Sequence, residues 1–250
     1  MKHIIWFSCG AASAVAAKLT LAEHPDATIY YTDPGSEHPD NMRFLADCEA
    51  WFDKPITVLR SNRYVDTWDV WNRRRYLVGH NGTLCTVELK KRLRQQVELE
   101  HAVNFPDEQL TQVFGYTAEE QGRVDRFRKA NPDVTLSTPL IDFGLSKADC
   151  LAIILRAGIE LPAMYRLGYD NANCIGCPHG CFAYWNKIRR DFPGTFDRMA
   201  EMERALGHSC NKDSNGPVWL DEMDPERGDY QSEPKVECSL LCVIAEGEFS

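Results

Sequence analysis

Short apolar runs alternate with longer amphipathic segments through the first 140 residues. "HIIWFS" reads as a buried strand, "AASAVAAKLTLAEH" as a helix, "ATIYYTD" as a second strand, "NMRFLADCEAWF" as a second helix and "ITVLRS" as a third strand. Further on, "QLTQVFGYT" and "VTLSTPLI" predict two more strands, separated by the charged helix "AEEQGRVDRFRKA". Strands that alternate with helices predict an α/β fold: an open, mostly parallel five-stranded sheet with helices on both faces. Ligands of such sheets bind at the carboxyl ends of the strands.

After "SKADCLAIILRAG" the pattern changes. "NCIGCPHGCFAYWNKIRRDF" mixes cysteine, glycine and aromatic residues, "TFDRMAEMERALG" predicts one more helix, and the last stretch is rich in turn formers and acidic residues. The chain therefore divides near residue 158, into an α/β domain over 1–158 and a small loop-rich lobe over 159–250. The lobe is thin in apolar residues, so a metal centre held by its cysteines is expected to supply part of its stability.

The 250 residues are 44% hydrophobic and 26% charged, enough for one large domain with an appended lobe. No apolar run approaches the roughly 20 residues that span a bilayer, and "MKHIIWFSCG" is too brief for a secretory signal. The expectation is a soluble cytoplasmic protein with no membrane partner. A net charge of −9 excludes a uniformly basic nucleic-acid coat. Arg73-Arg74-Arg75 and "LKKRLRQQ" nonetheless concentrate positive charge, either to hold phosphates or to solvate a helix face. Ten cysteines without an export signal argue for thiol or metal chemistry rather than a disulfide framework.

The strand "HIIWFS" runs directly into Ser8-Cys9-Gly10-Ala11-Ala12-Ser13 and then into a helix of small residues. Small side chains at such a junction let a ligand approach the backbone, and the N–H groups of a helix's first turn have no intrahelical acceptor, so the segment is a candidate phosphate site. Close packing of helix on strand would require the same composition. It is not a Walker loop, because the G-x-x-x-x-G-K-[ST] lysine is missing.

The segment resembles the pyrophosphate loop, S-G-G-x-D-S, of the ATP pyrophosphatase (adenine nucleotide alpha hydrolase) superfamily, which includes the phosphoadenylylsulfate (PAPS) reductases. Ser8, Gly10 and Ser13 match; Cys9 replaces the first glycine and Ala12 the aspartate. "YYTDPGSEHPDNMRFL" is similar to the reductases' D-T-G-x-x-F-P-E-T segment through Asp33, Gly35 and Pro39. "CTVELKKRLR" at Cys85 is similar to their cysteine-containing segment. In "VFGYTAEEQGRVDR", Gly115, Glu120, Arg123 and Arg126 resemble a G-x-x-x-x-E-x-x-R segment that contacts nucleotide or sulfate, and Pro139, Leu140 and Asp149 resemble a following P-L-containing turn. These matches cover roughly the first 180 residues. They imply an adenine nucleotide, ATP or PAPS with magnesium, held by residues 8–13 with Asp33, Gly35, Gly115, Glu120, Arg123 and Arg126.

"CIGCPHGC" sets Cys174, Cys177 and Cys181 at C-x2-C-x3-C, with Cys85 far upstream. A C-x2-C pair on a glycine turn directs two thiolates at one metal, and either zinc or a [4Fe-4S] cluster suits four sulfurs. The resemblance implies iron, because sulfur-handling members pair an upstream cysteine with a downstream C-x2-C; Cys85, Cys174 and Cys177 take those places. A fourth ligand would come from Cys181, Cys238 or Cys242.

Together these readings predict a nucleotide-activating sulfurtransferase. Ser8, Ser13 and Arg123 would stabilise phosphate charge and Asp33 would orient the nucleoside. The acceptor would be transfer RNA, DNA or a small molecule, and the sulfur would come from a thiol or sulfur-donor protein. A homo-oligomer is expected, since dimers are the commonest soluble assemblies. Glu237-Cys238 resembles the start of the reductases' terminal E-C-G-[LI]-H segment, which leaves open a PAPS or adenylylsulfate reductase acting through Cys238. A non-catalytic nucleotide- or nucleic-acid-binding module, with Ala12 marking lost chemistry, is a third reading.

Overall fold

A computed structural model describes residues 1–78 and 82–233. Period-2 alternation in the first strand builds the centre of the molecule. In β1 (Lys2–Phe7), Ile5 and Phe7 point to one face of the sheet, while Ile4 and Trp6 point to the other. β2 (Thr28–Thr32), β3 (Ile56–Leu59), β4 (Leu110–Val113) and β5 (Thr135–Ser137) join it in a five-stranded sheet of order β3-β2-β1-β4-β5, and every pairing is parallel. The strand order reverses between β1 and β4, which places the crevice of this open sheet beside the loop that leaves β1.

Helices cover both faces, as the strand pattern predicts. The helices α1 (Ala11–Glu23) and α2 (Asp40–Phe52) pack with Cys150 and Ile154 of a later helix, Lys147–Arg156, against Ile5, Phe7, Ile29 and Val113. On the opposite face, Val97, Val124 and Phe127 pack against Ile4, Trp6 and Phe114. Val97 belongs to a helix that starts at Leu84–Thr86, widens into a π-helical turn at Val87–Lys91 and continues through Arg92–Asn104. The lone cysteines Cys48 and Cys150 are fully buried in the first core, as small hydrophobes.

The fifth strand is shorter than "VTLSTPLI" predicts. It ends at Ser137, and Pro139–Asp142 forms a helical turn instead. Proline has no N–H to add to a ladder, and its fixed φ suits the first position of a helix.

A second core joins two distant stretches. Trp68, Trp71, Leu77, Cys85 and Leu89 from the first half pack with Met164, Cys177, Tyr184, Trp185 and Met199 from the second. A hairpin that the sequence pattern does not announce, β6 (Asn211–Asp213) with β7 (Gly216–Val218), follows helix Pro193–Leu206. The second half also docks on α2: Asp40 Oδ2 accepts the Ala163 N–H at 2.7 Å, and Arg43 Nη2 donates to the carbonyls of Glu160 and Leu161. Among the described residues, no helix is long and apolar enough to cross a membrane.

Candidate functional site

The loop after β1 closes on its own side chains. Ser13 Oγ accepts from the Ser8 N–H at 3.0 Å and from Ser8 Oγ at 3.1 Å, and donates to the Gly10 carbonyl at 2.9 Å. Cys9 takes φ +52, the left-handed region that favours glycine, at the position where the pyrophosphate loop S-G-G-x-D-S carries its first glycine. Its side chain is fully buried, and burial with the nearby Glu37 charge pushes the thiol well up, so Cys9 is a packed neutral thiol and not a nucleophile. Gly10 is the N-cap of α1 and, lacking a side chain, makes no cap hydrogen bond of its own.

Gly115 makes this loop possible. It follows β4, the neighbour of β1, and a Cβ there would lie 2.7 Å from Ser13 N and Cα and 2.9 Å from the Ala12 carbonyl carbon. Two backbones thus meet at the crevice, where only a residue without a side chain fits. Beyond Gly115, Glu120 closes a capping box with Thr117 and pairs with Arg123, whose guanidinium lies over the Tyr116 ring at 5.4 Å. Arg126 is exposed on helix Gln121–Ala130.

On the other side of β1, Asp33 leaves the end of β2. Its carboxylate accepts the Gly35 N–H at 2.8 Å and pairs with Arg60 Nη2 at 2.7 Å, so in this structure its partners are protein groups. Gly35 has φ +70, and a Cβ would lie 2.4 Å from the Val65 carbonyl oxygen, which makes glycine obligatory in this turn. The predicted nucleotide residues therefore gather at the carboxyl ends of β1, β2 and β4.

A buried polar bridge runs from this edge to the cysteine-bearing helix. The Glu37 carboxylate accepts from Tyr31 Oη at 2.7 Å, from Asn41 Nδ2 at 2.9 Å and from Lys90 Nζ at 3.3 Å, and the Glu37 and Lys90 side chains are only 5% and 7% exposed. Burial pushes the Glu37 carboxyl up, and the Lys90 charge opposes it. Other basic residues pair with acids of the fold although several of them stay exposed. Glu88, 1% exposed, pairs with Arg74 at 2.7 Å and Arg92 at 3.0 Å, while the buried Arg94 pairs with Glu98. Much of the positive charge that stands out in the sequence is thus matched by acids of the same fold.

The cysteine turn is organised by one phenol. Tyr184 Oη accepts the N–H groups of Gly176 and Cys177 at 3.1 and 3.0 Å and donates to the Cys174 carbonyl. Gly176 takes φ +76, and Gly180 lies where any Cβ would enter the Tyr184 ring. The turn is anchored to the loop after β2 by the Ile175 N–H, which donates to the Ser36 carbonyl at 2.9 Å. Cys85, Cys174 and Cys177 are buried, and Cys85 and Cys177 share the second core. Cys181 is half-buried; burial and a hydrogen bond to Glu233 push its thiol up to about 11. Cys210, which has no close partner in sequence, packs against this same core and meets the buried Glu203. Among the described residues, no group of three or more His, Cys, Asp or Glu side chains is arranged to hold a metal ion. Cys238 and Cys242 lie outside the described residues.

No family model matches the chain. It is similar to an uncharacterized protein of Methanocaldococcus jannaschii, 23% identical over 219 residues. That match takes in 87% of this chain but 44% of the relative, so the chain spans less than half the relative's length.

Proposed function

We propose that this chain is a nucleotide-activating enzyme of sulfur transfer. ATP binds at the Ser8–Ser13 loop with magnesium, an acceptor oxygen attacks the alpha phosphorus, and pyrophosphate leaves as the acceptor becomes adenylated. Sulfur delivery then displaces AMP. The observation that carries this reading is the pairing of Cys9, at φ +52, with Gly115, where an added Cβ would lie 2.7 Å from Ser13 N. A positive φ at Cys9 and a close backbone approach at Gly115 support that reading, although one of the loop's glycines is replaced.

In this reading the chain's own groups supply electrostatics and position. The first-turn amides face developing phosphate charge, where preorganised donors are worth most, and Ser8 and Ser13, whose hydroxyls donate within the loop here, would have to turn their protons to the phosphate to join them. Arg123, held by Glu120 and stacked on Tyr116, is the candidate cation from the β4 side. Cys85, Cys174 and Cys177 have the donor chemistry of an iron–sulfur cluster or zinc, three buried thiols with two on a glycine turn, but in this structure they are not gathered around one point. Such a centre, when bound, would supply the sulfur chemistry. A fourth ligand would come from Cys181, Cys238 or Cys242.

The acceptor is read as a nucleic-acid oxygen or a small molecule. The test is pyrophosphate release from magnesium ATP by anaerobically purified protein, with transfer RNA, DNA or no acceptor added. Acceptor-dependent release that disappears in Gly115→Ala is the expected outcome. Tight ATP binding without release under any of these conditions would make the chain a nucleotide-binding module instead.

A further inference from the structure

One side chain from the second half of the chain reaches the loop. Tyr165 lies in the short helical turn Ala163–Arg166, which is pinned to α2 through the Ala163 N–H on Asp40 Oδ2. Its hydroxyl lies 3.2 Å from the place a Cβ would occupy on Gly10, and the Ala11 N–H points at the same oxygen. No feature of the strand-to-helix junction announces this contact, because 155 positions separate Gly10 from Tyr165 (165 − 10).

Burial pushes the Tyr165 phenol up to about 12, so it keeps its proton at neutral pH. The titratable groups that face it are Cys9, Cys150 and Asp170. A hydroxyl has one proton to give and two lone pairs. One that accepts an amide N–H at the mouth of a phosphate loop keeps its proton for another acceptor. Ala12 adds no carboxylate to the loop. A neutral donor in its vicinity therefore favours a multiply charged phosphate.

We propose that the Tyr165 hydroxyl is a phosphate-contacting residue of this site, contributed by the second half of the chain: it accepts the Ala11 N–H and donates to an oxygen of the phosphate held by residues 8–13. The inference rests on the nucleotide reading above and adds a specificity element to it. Tyr165 recognises the phosphate chain and contributes nothing to nucleoside binding.

The test uses the full chain, purified without oxygen, with inorganic pyrophosphate and adenosine as separate calorimetric probes. Tyr165→Phe keeps the ring and removes only the hydroxyl. Pyrophosphate affinity is expected to fall about tenfold, the scale of a lost hydrogen bond to a charged group, with adenosine affinity and the melting temperature unchanged. Pyrophosphate binding as tight as wild type, or tighter, would overturn the proposal while leaving the nucleotide site in place. A wild-type protein that binds neither pyrophosphate nor magnesium ATP would remove the nucleotide reading itself. Should Tyr165→Phe fold poorly, 3-fluorotyrosine at position 165 gives a second readout: its fluorine resonance is expected to shift on addition of pyrophosphate, and an unmoved resonance would contradict the contact.

Discussion

Two turns of small residues, each attended by a tyrosine hydroxyl, lie at opposite ends of the Glu37–Lys90 bridge, and they are built for different purposes. In the cysteine turn, Tyr184 takes both the Gly176 and Cys177 amides and returns its proton to the Cys174 carbonyl. The backbone there is satisfied from within, so the thiols are the groups left to act. In the loop after β1, the Gly10 N-cap has no side-chain cap, and Tyr165 faces one amide with its own proton unspent. A helix start whose cap residue has no side chain of its own is suited to an anion from outside. One turn is finished by the fold, and in the proposed function the other is finished by a ligand.

Breaking the bridge between the two turns is expected to have the largest effect. Lys90→Met leaves the buried Glu37 carboxylate without its cation, a change that costs about 3–5 kcal/mol where a buried pair is halved. Burial already raises the Glu37 carboxyl, and losing Lys90 raises it further. A carboxyl whose folded pKa exceeds its unfolded value contributes its stability below the unfolded pKa and loses it as pH rises through the folded one. Urea unfolding should therefore show the variant recovering stability on acidification from neutral pH. A variant equally destabilised at pH 5 and pH 8 would place the defect elsewhere.

Gly115→Ala and Tyr184→Phe separate the two turns. The added Cβ of Gly115→Ala meets the Ser13 backbone at 2.7 Å, and such overpacking costs about 1–3 kcal/mol. ATP binding is expected to be lost, while metal content stays at the wild-type level. Tyr184→Phe leaves two buried amides without their acceptor, at about 1–3 kcal/mol by the cost of an unsatisfied buried group, and should lower metal content while ATP still binds. The comparison fails if each substitution damages both properties equally. Cys9→Gly is expected to have the smallest effect. Relief of a positive-φ residue, on the order of 1 kcal/mol, offsets the loss of a small buried side chain, so the midpoint of unfolding should barely move and ATP should still bind.

The five strands and the loop were legible because their signals are local. Alternation in "HIIWF" and "TIYYT" states which residues face which side, and Gly, Ala and Ser between strand and helix mark the bend. The length of β5 was misjudged where Pro139 stops the ladder, a local rule outweighed by the apolar pattern around it. What the sequence hides is contact across distance. Glu37 and Lys90 lie 53 positions apart, and Asn41 and Ala172 lie 131 apart. Neither an acid in a turn nor a lysine in a basic run shows that it will be buried against the other. The charge in "LKKRLR" was visible, but the Glu88 and Glu37 carboxylates that absorb it become apparent only in the fold. Cys210 was hidden for the same reason, since its spacing from Cys177 has no motif.

The most direct measurement is a calorimetric titration of the anaerobically purified chain with magnesium ATP and, separately, with PAPS, each followed by assay for pyrophosphate and sulfite. Selective binding of magnesium ATP, with pyrophosphate released once an acceptor is present, is the result expected of a nucleotide-activating sulfur-transfer enzyme. Selective binding of PAPS, with thiol-dependent sulfite release that vanishes in Cys238→Ser, would contradict it and make the chain a reductase.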